Sequence, residues 1–197
     1  MNGKPVFLHS LLALQKCPYI KQIIITADKK YFDFIHSYSI KYKITKLTHF
    51  VEGGKTRFQS VKNAFEQIDT GNNELILIHD AARPNINTDL VNKILSFAFS
   101  KGNTVIGVKI SDTVKREKKG LIDKTLNREE LWTVQTPQIF KFVDLKKSYK
   151  KVKSKKDFTD ESSLVESEGF KVNLFEGPKN NVKLTILDDL HLLKKLV

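Results

Sequence analysis

Residues 74–84, ELILIHDAARP, contain the segment that decides the fold. The run from Glu74 to His79 is nearly continuously hydrophobic, as expected of a strand that is buried on both faces of a parallel sheet. Pro84 ends the segment because proline cannot continue a strand or a helix. On both sides of it, apolar β-branched stretches alternate with segments of helical period. This alternation predicts one α/β domain over residues 1–197 with a mostly parallel sheet.

The other predicted elements continue this alternation along the chain. Further strands are predicted at residues 20–26, 47–51, 104–110, 171–175 and 182–185. Helices are predicted at residues 31–39, 56–68, 88–100, 142–152, 160–168 and 187–196. Asn87 or Thr88 is the expected N-cap of the third helix, and a capping box of Thr185 and Asp188 opens the last. Ligands of such sheets bind beyond the carboxyl ends of the strands, so we expect the functional site in the loops there.

The composition excludes several classes of protein. Hydrophobic residues make up 40% of the chain and charged residues 28%, which is typical of globular domains and not of disordered or collagen-like chains. No apolar run approaches the roughly 18–20 residues that span a bilayer, and the N-terminus has no signal-peptide pattern. Cys17 is the single cysteine, which excludes an internal disulfide and a cysteine-based zinc cluster. We therefore expect a cytoplasmic protein without a membrane partner.

The net charge of +12 invites a nucleic-acid interpretation. Lysines dominate the 34 basic residues and are scattered along the chain, with one dense run at residues 150–156. Such a run is usually a solvated face, and no stacking aromatic residues accompany it, so we expect no nucleic-acid partner. Arginine is scarce but binds phosphate through a planar fork that lysine cannot copy. The four arginines are Arg57, Arg83, Arg116 and Arg128, and all lie in the polar segments described next.

The Gly53-Gly54 pair joins a predicted strand to a helix N-terminus. Small residues let backbone N–H groups approach an anionic or polar ligand there, and the helix dipole favours negative charge. The signal is weak because a Gly-Gly turn is more often only a turn. The segment is neither a Walker loop nor a G-x-G-x-x-G fingerprint.

Asp80 and Arg83 form a stronger pair at the end of the most hydrophobic strand. A carboxylate at that point can hold Mg²⁺ or a ribose hydroxyl, and an arginine three residues later can clamp a phosphate. The alternative is an internal salt bridge between the two residues that shapes the turn before Pro84. We expect His79 to be a hydrogen-bonded histidine under this loop and not a base or metal ligand.

Residues 111–131 are polar around Lys118, Lys119 and Gly120, which is typical of a projecting β-hairpin. Residues 112–116 and 127–132 are its two expected arms. Long polar hairpins are costly to leave in solvent and often pack on a partner subunit. The spacing alone does not show that this one does.

Six motifs in a fixed order give the chain a resemblance to a known family. They are VEGGKTRFQSV (51–61), LIHDAARP (77–84), DTVKRE (112–117), LNREELWTVQTPQIF (126–140), FTDESSLVE (158–166) and NNVKLT (180–185). In this order the chain resembles the bacterial and plastid 2-C-methyl-D-erythritol 4-phosphate cytidylyltransferases, from Gly3 to the C-terminus. Alditol-phosphate cytidylyltransferases share the first motifs and the TPQ. The DTVKR motif and the Arg-x-x-Leu-Trp element favour the methylerythritol enzyme.

The resemblance implies a Rossmann-like, nucleotide-diphospho-sugar transferase-like fold with helices on both faces of the sheet and a projecting arm. It implies cytidylyl transfer from CTP to methylerythritol phosphate with release of pyrophosphate, in non-mevalonate isoprenoid precursor synthesis. The implied cofactor is Mg²⁺. The arm, residues 111–131, would interlock two chains into a homodimer.

The resemblance also implies roles for individual residues. The residues at CTP would be Gly54 and Ser60 at the cytosine and sugar, Asp80 and Ala81 at the ribose and metal side, and Lys183 at the reacting phosphates. The residues at the sugar phosphate would be Arg83, Thr113, Thr159 and Arg128, the last reaching the neighbouring subunit's site. Arg128 and Lys183 are the implied catalytic residues, and Asp80 is the candidate metal ligand. Asn127 and Glu130 depart from the family's usual aspartate and glycine without removing a charged site residue.

The larger departure is at the front of the chain. The family begins with a strand and a glycine-rich A-A-G-x-G-x-R-M loop, followed by a P-K-Q element, before the segment that starts at Gly3 here. The arginine and lysine of that region are the main transition-state stabilisers, and each such loss costs roughly 10²–10³ in rate. The strand would lie inside the sheet, so its loss would leave open hydrogen-bonding edges and uncovered apolar surface. We therefore expect an incomplete or degraded form of the enzyme that is close to inactive.

Three alternatives remain from the sequence. A ribitol- or other alditol-phosphate cytidylyltransferase would use a different sugar phosphate. A truncated, non-catalytic paralogue would retain only the dimer-forming hairpin and weak nucleotide binding. An RNA-binding module would show steeply salt-dependent binding, and it is the least favoured because the lysine run lacks stacking aromatics.

Overall fold

The computed structural model describes residues 1, 3–152 and 158–196 and shows an α/β fold. The helices are α1 (Val6–Lys16), α2 (Phe32–Lys41), α3 (Arg57–Phe65), α4 (Thr88–Lys101), α5 (Phe142–Lys151), α6 (Glu161–Ser167) and α7 (Leu187–Leu196). The strands are β1 (Ile23–Ala27), β2 (Leu47–Glu52), β3 (Leu75–Ile78), β4 (Thr104–Lys109), β5 (Lys115–Lys118), β6 (Leu121–Thr125), β7 (Trp132–Lys141) and β8 (Asn173–Glu176). Most of the lysine run at 150–156 lies outside the described residues.

The central sheet contains four strands in the order β3–β7–β4–β8. Strands β4 and β8 are parallel, whereas β7 pairs antiparallel with both β3 and β4. Strands β3, β4 and β8 therefore share one direction, and β1 and β2 form a separate parallel pair. The predicted mostly parallel sheet is confirmed, with β7 as its antiparallel exception.

Helices cover both faces of the central sheet, as predicted. On one face, α1 and α4 pack against Ile106 and Ile139. On the other face, α3, α5 and α6 pack against Val105 and Phe140. Neighbouring residues of one strand contribute to opposite faces because successive side chains point to opposite sides of a sheet. The first four residues of β4 and most of the second half of β7 are therefore buried on both sides, and they hold the loops at their ends in place.

A gap separates the β1–β2 pair from the central sheet. A cavity of about 340 Å³ lies between them, lined by Ile23, Ile24 and Thr26 of β1 and by all four residues of β3. In the described part of the chain, no strand pairs with the edge of β1 or of β3 that faces this cavity. Open sheet edges and uncovered apolar side chains are thus present, as the resemblance predicts.

The hairpin of β5 and β6 lies outside both sheets, and every residue of these two strands is exposed. Lys119 and Gly120 have positive φ angles of 56° and 80°, which reverse the chain between the strands. A projecting hairpin within 111–131 is therefore confirmed. Its arms were predicted incorrectly, because the second arm is β6 and residues 127–132 form a short 3-10 turn and the start of β7.

Strand β7 was not predicted from the sequence, and neither was α1. Pro137 argues against a central strand because proline has no N–H to donate to the ladder. The structure places Pro137 at an irregularity of the β4–β7 register, opposite the step from Val105 to Gly107. The β7 residues that pair with β3 begin at Gln138, so Pro137 has no partner in β3 either. The proline therefore occupies a position where the ladder does not need its N–H.

The segment before the last helix also differs from the prediction. Residues 182–185 form no strand, and Leu184 N donates a single backbone hydrogen bond of 2.8 Å to Ala82 O. Helix α7 has the predicted bounds, but its N-terminus is capped by Asp189 and not by Asp188. The Asp189 carboxylate accepts hydrogen bonds from the N–H and the hydroxyl of Thr185 and from the N–H of Ile186.

Within the described residues, the structure contains no helix that is both long enough and apolar enough to cross a bilayer.

Candidate active site

A group of charged side chains meets at the carboxyl end of β3. Asp80 follows this strand after His79, and Lys183 reaches Asp80 from the segment before α7. Arg57 and Glu161 are the first residues of α3 and α6, after the N-caps Thr56 and Asp160. The N-termini of two helices therefore lie beside this group, where their dipoles favour negative charge. We call Arg57, Asp80, Arg83, Glu161 and Lys183 the charge cluster.

The carboxylate of Asp80 is the centre of the charge cluster. Its Oδ1 accepts a hydrogen bond of 2.9 Å from Arg57 Nε, and its Oδ2 lies 2.9 Å from Lys183 Nζ. Arg83 Nε lies farther away, at 3.8 Å from Oδ2. Burial alone would raise the pKa of Asp80, but the hydrogen bonds and charges of Arg57 and Lys183 lower it below its usual range. Asp80 is therefore a stable anion.

Arg57 joins Asp80 to a second, deeper carboxylate. Its Nη1 donates a hydrogen bond of 2.7 Å to Glu161 Oε2, and the Glu161 side chain has no exposed surface. Burial raises the pKa of Glu161, and the positive charge of Arg57 opposes that shift. For Arg57 itself, burial disfavours the charge, yet the two carboxylates raise its pKa. The motifs of the sequence imply no role for either residue, although the scarcity of arginine singles out Arg57.

Arg83 contacts the opposite side of the site. Its Nη1 donates a hydrogen bond of 2.7 Å to the carbonyl of Asn181, whose amide in turn donates to Thr136 O at 2.9 Å. Its Nε is buried and has no hydrogen-bond partner among the described residues. The structure contains the alternative internal ion pair between Asp80 and Arg83, at 3.8 Å, but Arg57 and Lys183 are the closer partners of Asp80. Arg83 is thus a cation with a buried N–H group that lacks an acceptor, and such a group fits an anionic ligand.

His79 supports the loop and takes no part in the charge cluster. Its Nε2 lies 3.2 Å from Arg83 O, and its Nδ1 lies 3.1 Å from the hydroxyl of Thr136, which accepts a hydrogen bond from Asp80 N. This pattern fits a neutral ring that donates from Nε2 and accepts at Nδ1. Burial lowers the pKa of His79 to about 4. The prediction of a hydrogen-bonded histidine under the loop is confirmed.

Gly54 and Ser60 lie beside a second, polar cavity. Gly54 N donates a hydrogen bond of 2.9 Å to Ser60 Oγ, which donates to Thr56 O at the same distance. A Cβ atom on Gly54 would lie 2.3 Å from Gln59 Cγ, so the close approach of this loop requires glycine. The cavity measures about 420 Å³ and is lined by Glu52, Gly53, Gly54, Lys55, Gln59 and Asn63.

The remaining predicted residues lie outside the charge cluster. Ala81 is exposed next to Asp80, and Thr113 and Thr159 are exposed on loops. Arg128 donates from Nη1 to the carbonyl of Ser111 at the base of the hairpin. Among the described residues, no hydrogen bond or ion pair joins Thr113, Thr159 or Arg128 to Asp80. The structure thus brings Asp80, Arg83 and Lys183 together and leaves the hairpin residues apart.

A divalent cation has one candidate protein ligand at this site. The described residues contain no group of three or more His, Cys, Asp or Glu side chains that could hold a metal ion. Magnesium ions, however, are commonly held by one or two carboxylates together with substrate phosphates. Asp80 fits that second arrangement, because the close partner of its Oδ2 is Lys183, whose side chain is 39% exposed and can move to a phosphate, while Arg83 Nε lies farther away at 3.8 Å. The donor set therefore suits a cation that is shared with a polyphosphate ligand.

Comparison with known sequences gives one consistent result. The family model of 2-C-methyl-D-erythritol 4-phosphate cytidylyltransferase (IspD) matches residues 1–197. The protein of that name from Clostridium novyi is 37% identical over 193 residues, which cover 96% of this chain and 83% of the relative. The one from Clostridium acetobutylicum is 33% identical over 202 residues, with coverages of 100% and 86%.

Comparison with solved structures agrees. The 4-diphosphocytidyl-2C-methyl-D-erythritol synthase of Anaerococcus prevotii superposes with a TM-score of 0.89 at 28% identity, covering 99% of this chain and 86% of that one. The 2-C-methyl-D-erythritol 4-phosphate cytidylyltransferase of Francisella tularensis gives a TM-score of 0.83 at 29% identity, with coverages of 100% and 89%. Sequence, fold and site composition thus lead to the same conclusion. The chain belongs to the 2-C-methyl-D-erythritol 4-phosphate cytidylyltransferase family.

Proposed function

We propose that the charge cluster is where this chain carries out its family's reaction, the transfer of the cytidylyl group of CTP to 2-C-methyl-D-erythritol 4-phosphate. Family membership makes the chain a nucleotidyltransferase of isoprenoid precursor synthesis and disfavours the alditol-phosphate alternative. The observation that supports the assignment to this site is the set of three cations, Arg57, Arg83 and Lys183, around Asp80 at the carboxyl end of β3.

The reaction needs no covalent intermediate on the protein. A phosphate oxygen of the sugar phosphate attacks the α-phosphorus of CTP in line and forms a new P–O bond. The bond from the α-phosphorus to the oxygen that bridges to the β-phosphate breaks, and pyrophosphate leaves with that oxygen. The protein must hold two polyanions together and offset the charge that develops on phosphorus.

Lys183 and Arg83 are placed to supply that positive charge. Lys183 is partly exposed and can move from Asp80 to the reacting phosphates, whereas Arg83 is held by Asn181 with one free buried donor. Asp80 would then hold Mg²⁺, which would supply positive charge to the triphosphate of CTP. Thr159 lies next to the N-cap of α6, where its exposed hydroxyl would contact the sugar phosphate.

The polar cavity beside Gly54 is our proposed site for the cytosine and the sugar of CTP. Its rim carries the Gly53-Gly54 turn and the amides of Gln59 and Asn63, and amides can both donate to and accept from a pyrimidine. Ser60 holds the turn through its hydrogen bond with Gly54 N. Ala81 lies beside Asp80, where an exposed small side chain leaves room for the ribose.

The hairpin is our proposed dimerisation arm, residues 111–131. Leu121 and Ile122 are 74% and 69% exposed, and burying such side chains against a partner is favourable. Arg128 and Thr113 sit on or beside the arm and would then reach the site of the neighbouring subunit, where they would bind the sugar phosphate. We also propose a cytoplasmic location, in line with the single, unpaired cysteine.

Binding of CTP is measured separately from turnover. We expect Mg²⁺-dependent CTP binding by titration calorimetry.

The test of the function compares sugar phosphates directly. Purified protein at high concentration is assayed for pyrophosphate release from CTP with 2-C-methyl-D-erythritol 4-phosphate or ribitol 5-phosphate, each with Mg²⁺ and with EDTA. We expect release only with the methylerythritol compound and only with Mg²⁺. Lys183→Ala should abolish the signal. Activity with ribitol 5-phosphate alone, or no Mg²⁺-dependent CTP binding, would contradict the proposal.

A further inference from the structure

Arg57 connects parts of the chain that are far apart in sequence. Through Nε it bonds to Asp80, 23 residues away, and through Nη1 to Glu161, 104 residues away. It thereby ties the N-terminus of α3 to the end of β3 and to the N-terminus of α6. No other arginine or lysine in the described part of the chain forms ion pairs with two different carboxylates.

The three cations near Asp80 differ in how firmly they are held. The Lys183 side chain is 39% exposed and has one carboxylate partner, whereas Arg57 is 27% exposed and is held from behind by fully buried Glu161. A ligand's phosphates can therefore draw Lys183 away from Asp80. They cannot draw away Arg57 without leaving the Glu161 carboxylate unpaired in the protein interior, which is costly.

The Arg57–Glu161 pair is a poor device for stability alone. Two apolar side chains of similar volume would fill such a buried position as well or better, since the pair loses the solvation of both charges. The pair is also imperfect, because Arg57 Nη2 is buried without a hydrogen-bond partner among the described residues. A function in the site accounts for the arrangement better than packing does.

We infer that Arg57 and Glu161 are positioning residues that hold Oδ1 of Asp80, so that Oδ2 stays directed at Mg²⁺–CTP after Lys183 has moved to the phosphates. This inference rests on the proposed function of the site. Glu161 acts only through Arg57, and neither residue needs to touch the substrate. Lysine cannot replace Arg57, because a single ammonium group on a flexible stem does not reproduce a fork that bonds two carboxylates at once.

The test compares four variants of the full chain. Arg57→Lys keeps the charge but loses the fork, and Glu161→Gln removes the charge that holds Arg57. The double variant Arg57→Met/Glu161→Leu replaces the pair with apolar side chains and keeps Asp80, Arg83 and Lys183. The matched control is Lys62→Met, which removes the exposed Lys62–Glu66 ion pair of the same helix. Each variant is measured by thermal unfolding and by calorimetric titration with CTP in Mg²⁺ and in EDTA.

The expected result separates binding from stability. We expect the double variant to unfold at or above the wild-type temperature and to bind CTP about 10–100-fold more weakly in Mg²⁺, the usual cost of losing a residue that orients a metal ligand. The difference should largely vanish in EDTA. Arg57→Lys should weaken binding similarly, and Lys62→Met should not change it. Where turnover is measurable, kcat should fall together with Mg²⁺ affinity and KM for the sugar phosphate should stay constant.

Two other results have distinct meanings. If wild-type protein binds Mg²⁺–CTP and the folded double variant binds it equally well, the positioning role is wrong and the proposed function stands. If the wild-type protein itself shows no Mg²⁺-dependent CTP binding, both proposals are wrong.

Discussion

The charge cluster and the hairpin arm are held in place in opposite ways. The cluster is largely buried, with Asp80 14% and Glu161 0% exposed, and its contacts other than Asp80–Arg83 join residues 23 to 104 positions apart. The strands β5 and β6 of the arm are exposed throughout, and the polar side-chain contacts of the arm join residues 2 to 17 positions apart. The tertiary fold therefore fixes the positions of the cluster residues. For the arm, contacts within one chain fix only the pairing of β5 with β6. We propose that the charge cluster is complete in a single chain and that the residues of the arm act on the site of a partner chain.

The largest effect on stability and activity is expected from removing Asp80, the centre of the charge cluster. Asp80→Ala removes the shared anion of Arg57, Arg83 and Lys183, and loss of a buried ion-pair partner costs about 3 kcal/mol of unfolding free energy. Activity should fall roughly 10²–10³-fold or more. Urea unfolding and pyrophosphate release measure the two effects. The control Asp89→Asn breaks an exposed ion pair with Lys93 and should change the unfolding free energy by less than about 1 kcal/mol.

The second prediction tests whether the two regions act across subunits. Arg128→Ala and Lys183→Ala should each lower activity roughly 10²-fold. Equal mixing should restore about a quarter of the wild-type activity, because half of the dimers are mixed and one of their two sites is intact. Mixing Arg83→Ala with Lys183→Ala should restore none, since both residues come from one chain's cluster. Equal recovery in both mixtures would argue against an arm that crosses between chains.

The third prediction concerns the support beneath the cluster. His79 has a pKa near 6.5 when unfolded and about 4 when folded, so only the unfolded chain takes up this proton between those values. Its contribution to stability is therefore present above about pH 6.5 and is lost as the pH falls toward 4, by about 1–3 kcal/mol. His79→Gln should flatten this part of the stability curve in urea unfolding. The control His49→Gln, at an exposed position of β2, should leave the slope unchanged.

The smallest effect on the free energy of unfolding is expected at the tip of the arm. Leu121→Lys combined with Ile122→Lys should change the stability of the subunit by less than about 0.5 kcal/mol, because both side chains are exposed. Sedimentation should nevertheless show a shift from dimer to monomer. Leu187→Lys, at an exposed site outside the arm, should leave the dimer intact. A double variant that stays dimeric would show that the interface lies elsewhere.

Local sequence signals were sufficient to predict most helices and the strands that lead to the site. Asn87 accepts a hydrogen bond from Leu90 N and begins α4 as predicted, because capping is decided within one turn. Strand β7 could not be predicted in the same way. Pro137 argues against a central strand, and only the mismatch between the β3 and β4 registers shows why it is tolerated.

The order of short motifs along the chain determined the family and singled out Asp80, Arg83 and Lys183 as candidate site residues. These residues follow strand ends or lie in ordered motifs, so their neighbours in sequence are enough to find them. The pairing of Arg57 with Glu161, the gap beside β1 and the separation of the arm from the cluster were decided by the tertiary structure alone. The physical reason is distance along the chain, since a contact across 104 residues depends on how strands and helices pack and leaves no local pattern.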